Sequence, residues 1–418
     1  MTKVALLESL YLKLLVITAH YPMPDIASGD LRFFGILKAL SKSHQVVVCA
    51  YGSTRQYSQC GQEKFEIIVK RLQQLGIETT KNLHAALKSN RYDCIFFEFY
   101  TAALQHLSVV RALQPSAVTI VDSVDIHFRR FRQQAAVSGR PKDHAHSEAV
   151  RKVELATYSR AEVVIAVTQD EATLLQREGV KATIAVIPNI HTIPTEVRQE
   201  ERNRNTMLFV GGFQHEPNID GILYFCREIL PRIRQEIPVA HLKIVGSYPP
   251  ESIRSLAGDG VEVTGYVPET APYLRAAWVS VAPLRFGAGM KGKVGEAMSF
   301  GLPVVTSSVG AEGFGLMPGE HALVADDPDA FAKATILLMS DDSLHRRIGH
   351  AGRAFISEKY GEPAAASIIT KIFQQLPPVR FAITKRMNAM PSYAWTEARR
   401  WMEKTVLWRF RRFNKGVK

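Results

Sequence analysis

Cysteine is scarce in this chain: Cys49, Cys60, Cys94 and Cys226 are the only four in 418 residues, and no two form a Cys-x-x-Cys pair. That spacing excludes a disulfide scaffold and gives a structural zinc site nothing to build on. Cys49 and Cys94 fall inside apolar, strand-like runs, so buried free thiols in a reducing compartment are expected. Long apolar runs are lacking as well. No stretch approaches the ~18–20 residues needed to span a bilayer. The opening MTKVALLESLYLKLLVITA superficially resembles a secretion signal, but Glu8 and Lys13 interrupt it and no small-residue cleavage site follows before His20. Residues 11–18 therefore read as the first core strand, with a short leader before them, and a cytoplasmic location is expected.

Excess charge is missing from most of the chain. The formal net charge is +12, yet residues 381–418 hold ten Lys/Arg against Glu397 and Glu403, a net +8. The remainder is close to balanced, so a nucleic-acid partner is not expected. Internal repeats and low-complexity tracts are absent. What remains is an average globular composition, 46% hydrophobic and 22% charged, on a chain long enough for two or three domains.

Short β-branched runs alternate with helical stretches, the pattern of a parallel α/β sheet. In the first half, strands are expected at 12–18, 45–50, 94–97, 118–121, 163–167 and 183–187, with helices such as 30–40 and 144–160. Their mostly apolar character suits strands buried on both faces. Residues 195–205 (TEVRQEERNRN) carry no apolar period and read as an interdomain linker. Strands resume at 207–210, 242–245, 261–264, 279–282 and 304–306. Helices fit 219–235, 293–299, 328–339 and 343–359. Two doubly wound, Rossmann-like domains follow, 1–195 and 206–376 about a linker at 196–205, with a tail at 377–418. Ligands in such sheets sit beyond the strand carboxyl ends, so the facing edges of the two domains should form a cleft.

The chemistry concentrates in 279–313, VSVAPLRFGAGMKGKVGEAMSFGLPVVTSSVGAEG. A strand ends at Pro283, a loop with Gly287, Gly289 and Gly292 follows, and a helix opens near Lys293. Glycines let a backbone approach a ligand closely, and amides at a helix start suit phosphate oxygens. Arg285, Lys291 and Lys293 add three cations, a coherent set for a diphosphate. Glu296, one turn into the helix, is placed to accept bonds from sugar or ribose hydroxyls. Two other readings exist. Gly287-x-Gly289-x-x-Gly292 matches the dinucleotide fingerprint, with Glu312 twenty residues beyond, but Glu312 lies past the strand 304–306 rather than at its end. The other is a tight strand-to-helix turn with solvated lysines.

With these residues the chain resembles the family 4 glycosyltransferases, retaining enzymes of the GT-B fold. Within them it is similar to a bacterial group marked by Phe209-Val-Gly-Gly-Phe-Gln-His-Glu-Pro-Asn218, Pro283-Leu-Arg-Phe-Gly-Ala-Gly-Met-Lys-Gly-Lys293, Glu296-Ala-Met, Gly301-Leu-Pro-Val-Val305 and Ala325-Asp-Asp-Pro328. The likeness covers about residues 115–360. It implies a nucleotide-diphosphate sugar held mainly by the second domain, an acceptor held by the first, and no need for a metal or other cofactor. Such an enzyme would serve cell-surface polysaccharide or glycoconjugate synthesis.

Glu296 matches the second Glu of the family's E-x7-E pattern, a ribose ligand; the first falls at Ala288, so backbone amides from Ala288 through Gly289 and Met290 to Lys291 become candidates for the sugar. The Arg and Lys that many members place after the first strand of this domain are replaced near Gly212 and Pro217. That passes their diphosphate role to Arg285, Lys291 and Lys293, with Gly212, Phe213 and His215 beside them; His215 reads equally as a loop cap. In the first domain, IVDSVDIHFRRFRQQ (120–134) stands where members carry a His-Asp pair. Val124 occupies the His position, leaving Asp125 and His127 as catalytic candidates, with Asp125 as a cap for the helix of Arg129 and Arg132 the alternative. Ser28-Gly29-Asp30 offers either a second glycine loop toward the diphosphate, through Gly29, or a simple N-cap.

Asp327-Pro328-Asp329 contains an Asp-x-Asp, but Pro328 suits a first helical position and the acids its N-terminus, so no metal role is assigned. After Pro377-Pro378 the chain turns basic. At helical spacing Trp395, Met402, Val406, Phe410 and Phe413 share a face opposite Arg400, Lys404 and Arg411, the pattern of a helix on an anionic membrane surface. Packing onto the first domain is the other reading, and a lipid-linked acceptor would suit the membrane one. Two further functional readings stand beside transfer: a sugar-nucleotide epimerase or phosphorylase of similar fold, and a non-catalytic nucleotide-sugar-binding scaffold.

Overall fold

The computed structural model describes residues 11–25, 28–196, 202–287 and 289–377. Ala288, the leader 1–10 and the basic tail 381–418 lie outside the described residues.

Seven parallel strands form the first sheet: β1 (Lys13–Thr18), β2 (Gln45–Ala50), β3 (Glu78–Thr80), β4 (Cys94–Glu98), β5 (Val118–Asp122), β6 (Val163–Ala166) and β7 (Thr183–Val186), in the order β3-β2-β1-β4-β5-β6-β7. The second sheet has six: β8 (Asn203–Val210), β9 (His241–Val245), β10 (Val261–Gly265), β11 (Ala277–Ala282), β12 (Val304–Thr306) and β13 (Leu323–Val324), in the order β10-β9-β8-β11-β12-β13. Strand order reverses beside β1 in one sheet and β8 in the other, which is where doubly wound sheets open a crevice. Side-chain alternation explains why the central strands are apolar throughout. Leu15 and Ile17 of β1 enter one core layer with Phe97 and Val121, while Leu14 and Val16 enter the opposite layer with Phe33 and Phe96. Cys49 and Cys94 are buried free thiols, as expected.

Three boundaries differ from expectation. The charge-dense stretch 195–205 was expected to be linker, yet β8 already begins at Asn203. Arg202 is buried there, its guanidinium donating to the carbonyls of Leu274 and Ala277 (3.0 and 2.8 Å) and Phe300 (2.8 Å). The second domain does not hold everything to residue 376: the helix Glu362–Gln374 crosses back and packs Ala365, Ile369 and Phe373 into the first domain's core. The expected helix 219–235 is three joined pieces, Glu216–Tyr224, a π-helical turn Phe225–Ile229, and Leu230–Glu236 with Pro231 in its first turn. A proline lacks the amide that would continue the regular ladder, and the wider turn accommodates it. Among the described residues no helix is long and apolar enough to cross a membrane.

Candidate active site

Gly287 (φ +143°) and Gly289 (φ +69°) adopt conformations open mainly to glycine, and they turn the loop after β11 toward the first domain. The Gly287 amide donates to Gln133 Oε1 (2.9 Å), and Asn189 Nδ2 donates to the Met290 carbonyl (3.1 Å). Gly289 faces the β5 loop so closely that a Cβ on it would lie 3.6 Å from Asp125 Cβ and 3.7 Å from Glu171 Oε1. The helix Gly292–Ser299 starts with Lys291 at its cap position, and no side chain caps it; the Val294 amide donates to the Lys291 carbonyl (2.8 Å), which leaves the amides of Gly292 and Lys293 for other acceptors. Gly29 stands opposite: a Cβ on Gly292 would collide with Ser28, and one on Gly29 would touch Val124. Asp30 instead closes its own loop, accepting from the Met23 amide (2.8 Å) and facing His20 at 3.3 Å.

The cations do not act as one group. Lys293 Nζ donates to Asn218 Oδ1 and lies 4.4 Å from the centre of the Phe209 ring, while Asn218 Nδ2 donates to the Gly212 carbonyl at 2.6 Å. Burial, helped by the charge of Lys291, lowers the Lys293 ammonium to about 7. Lys291 is 7% exposed and folds back onto its loop, donating to the carbonyls of Gly287 (3.1 Å) and Gly289 (2.5 Å). Arg285 was expected to join these lysines. Its guanidinium is committed to Asp220 and lies over the Tyr224 ring, so its charge is already partnered. The Phe213 and Met290 side chains belong to the apolar core, leaving their backbones at the loop. Glu296 accepts from Thr270 Oγ1 (2.5 Å), and burial raises its carboxyl.

Asp125 does not cap the following helix. Glu154 does so from the neighbouring helix, accepting from the amides of His127 (3.1 Å) and Phe128 (2.9 Å). Asp125 is thereby freed to pair with His127 Nε2 (2.9 Å) and Arg130 Nε (3.1 Å). Burial alone would raise its carboxyl, but the His127 hydrogen bond and these charges hold it below the usual range. Its backbone is held by a three-residue turn: the Asp125 amide donates to the Ser123 carbonyl (2.7 Å) across Val124, a β-branched residue at φ +59°. That strained position is sustained by its surroundings, including the buried pair of Arg32 with Asp122 at the end of β5 (2.6 Å). His215 occupies a cap position without making a cap bond. Burial, then Lys293 and Arg130, lower it to about 4 while Asp125 opposes, so this ring lies between the two domains' charged groups.

Sequence reasoning passed over Glu171 altogether and weighed Glu312 only as a dinucleotide acid. Glu312 pairs with Arg129 of the first domain and lies 3.6 Å from Lys291. Glu171 is fully buried beside Gly289. Asp327 caps the helix Pro328–Ser340 through the Ala330 amide (2.9 Å), and Asp329 pairs with Arg232, so both acids of that Asp-x-Asp have structural partners.

Two facing Rossmann-like domains with cations and a carboxylate–histidine pair across the cleft define a GT-B architecture. Residues 32–190 match the family model described as glycosyl transferase 4-like domain, and residues 204–341 match glycosyl transferases group 1. The chain belongs to this glycosyltransferase family. Among curated relatives, an uncharacterized 44.6 kDa protein in the cps region of Klebsiella pneumoniae is 27% identical over 194 residues, 44% of this chain and 50% of that one. The phosphatidyl-myo-inositol mannosyltransferase of Mycobacterium leprae is 29% identical over 217 residues, 49% of this chain and 57% of that one. The matches thus span about half the length of these relatives. Among solved structures, sucrose-phosphate synthase from Thermosynechococcus elongatus aligns with TM-score 0.66 at 18% identity, over 87% of this chain and 99% of that one. Anabaena HepE in complex with UDP and glucose aligns with TM-score 0.67 at 15% identity, over 87% and 100%. At those identities the likeness is one of fold.

Proposed function

We propose that this glycosyltransferase moves a sugar from a nucleoside-diphosphate sugar to an acceptor hydroxyl, with retention at the anomeric carbon. The observation that carries the reading is Lys293: a half-buried ammonium near the uncapped start of the helix Gly292–Ser299, across the cleft from Asp125 and His127. A diphosphate there receives one ammonium and a set of amides, and both interactions strengthen as negative charge grows on the leaving group. No metal ion is called for in this scheme, since lysine and amides supply the counter-charge. Glu296 is placed for ribose hydroxyls. Asp125, kept ionised by His127 and Arg130, orients the imidazole beside the reacting sugar and opposes charge developing there.

The acceptor enters from the first domain. A lipid-linked acceptor and a place in cell-surface glycan synthesis fit the basic, aromatic tail 381–418, which suits an anionic membrane surface. A panel of UDP- and GDP-sugars screened by thermal stabilisation identifies the donor, because a ligand bound only by the folded state raises its stability. The anomeric configuration of the product, read by NMR, then tests retention. An inverted product, or no nucleotide sugar that stabilises the chain, overturns the reading.

A further inference from the structure

Glu171 lies in the first domain, in the opening turn of the helix Gln169–Arg177, and is fully buried. Its local bonds are those of a helix cap. The Glu171 amide donates to Thr168 Oγ1 (3.0 Å), and Glu171 Oε2 accepts from the Val167 amide (3.1 Å). That duty uses one carboxylate oxygen. The other, Oε1, has no hydrogen-bond partner among the described residues, and the residue forms no ion pair among them. A buried carboxylate oxygen without a donor costs about 1–3 kcal/mol or more, so a helix cap alone does not account for it.

The direction of Oε1 is informative. It faces the second domain's loop at Gly289, 3.7 Å from where a Cβ would stand, on the same side as Asp125 Cβ. Gly289 sits between Ala288, where the family resemblance leads one to expect a carboxylate, and the lysine end of the loop. Burial and the charge of Asp125 raise the Glu171 carboxyl to about 7, against the opposing amide of Val167 and the charges of Arg129 and Lys291. The charged groups that act most on it, Asp125, Arg129 and Lys291, thus belong to the cleft.

We infer that Glu171 is the residue of the first domain that accepts hydrogen bonds from hydroxyls of the donor sugar, taking the place of a carboxylate on the second-domain loop. This rests on the nucleotide-sugar reading of the cleft. A carboxylate oxygen aimed past a glycine at the ligand's position can take one hydroxyl in a charge-assisted bond. Supplying it from the opposite domain makes sugar recognition depend on the two domains being closed together. The nucleoside diphosphate, held by the second domain, needs no such closure.

The test separates sugar from nucleotide. Glu171→Gln keeps the cap, because its amide oxygen accepts from Val167, and puts an NH2 group in place of Oε1, which removes both the charge and the acceptor offered to the sugar. Affinities for UDP with UDP-glucose, and GDP with GDP-mannose, are measured by calorimetry on the full chain, wild type and variant. Circular dichroism melting confirms folding. The expected result is unchanged nucleoside-diphosphate affinity with a loss of about tenfold or more for the cognate nucleotide sugar. A cognate donor deoxygenated at the contacted carbon should bind both proteins equally. Equal affinities for the sugar in both proteins, or parallel losses for sugar and nucleoside diphosphate, overturn the inference. A wild type that binds neither nucleotide nor nucleotide sugar instead overturns the reading of the cleft on which it stands.

Discussion

Lys291 Nζ lies 3.6 Å from Glu312 Oε2, and the other oxygen of Glu312 is held by Arg129 of the first domain. One carboxylate therefore ties a second-domain lysine to a first-domain arginine across the cleft. A diphosphate entering beside Lys291 meets that carboxylate as a like charge.

Removing the charge should help the nucleotide and harm closure. Glu312→Gln is expected to tighten nucleoside-diphosphate binding about three- to tenfold, the scale of one partly screened charge pair at ~1 kcal/mol. Turnover with the cognate donor should fall, since the tie to Arg129 weakens. Calorimetry at two ionic strengths, paired with steady-state rates, reads both effects. Weaker nucleotide binding in the variant would count against this view of Glu312.

Binding should take up a proton through Lys293. Its ammonium is lowered to about 7 by burial and Lys291, whereas a bound diphosphate favours the charged form. Above pH 7 the lysine must gain a proton to pair, so affinity should decline as pH rises, by at most about tenfold per unit. At pH 8, calorimetry in two buffers of different ionisation enthalpy should give different heats. Lys293→Arg, charged at every pH, should remove the difference.

Asp125→Asn should lower kcat by roughly 10²–10⁴-fold, the range for a misplaced acid–base group. The nucleoside-diphosphate affinity should change little, because Asp125 belongs to the opposite domain. A variant with wild-type turnover would remove Asp125 from the catalytic group.

The pair of Arg32 with Asp122 is fully buried, and Arg32 also donates to the Ile187 carbonyl at 2.8 Å. Breaking it with Asp122→Ala leaves a buried unpaired guanidinium and should cost about 3–5 kcal/mol, read as a lower urea midpoint. Replacing both partners together with apolar residues should recover much of that loss.

The strands were legible in the sequence because parallel sheets buried on both faces are written as unbroken apolar runs, as in residues 46–50 and 94–97. The edges were not. β3 is Glu-Thr-Thr and β13 is two residues long, too polar or too short to register as strands. Gly287, Gly289 and Lys293 were visible as residue types at telling spacings, and Asp125 and His127 came from the family resemblance. Arg285 misled because spacing along a loop says nothing of an acid on the next helix, here Asp220. Glu171 was hidden for the opposite reason. Thr168-Gln-Asp-Glu171 is a complete helix-start signal in itself, and only folding reveals that one of its oxygens is spare and faces Gly289.

The decisive measurement is calorimetric titration of wild-type protein and Lys293→Ala with the cognate nucleoside diphosphate. Saturable binding by the wild type and about a 10- to 100-fold loss in the variant are expected, for one charge-assisted contact of about 1.5–3 kcal/mol, at an unchanged or higher melting temperature, since the substitution removes a half-buried charge. Equal affinity in the two proteins, or no binding by the wild type to any nucleoside diphosphate, would contradict the proposed function.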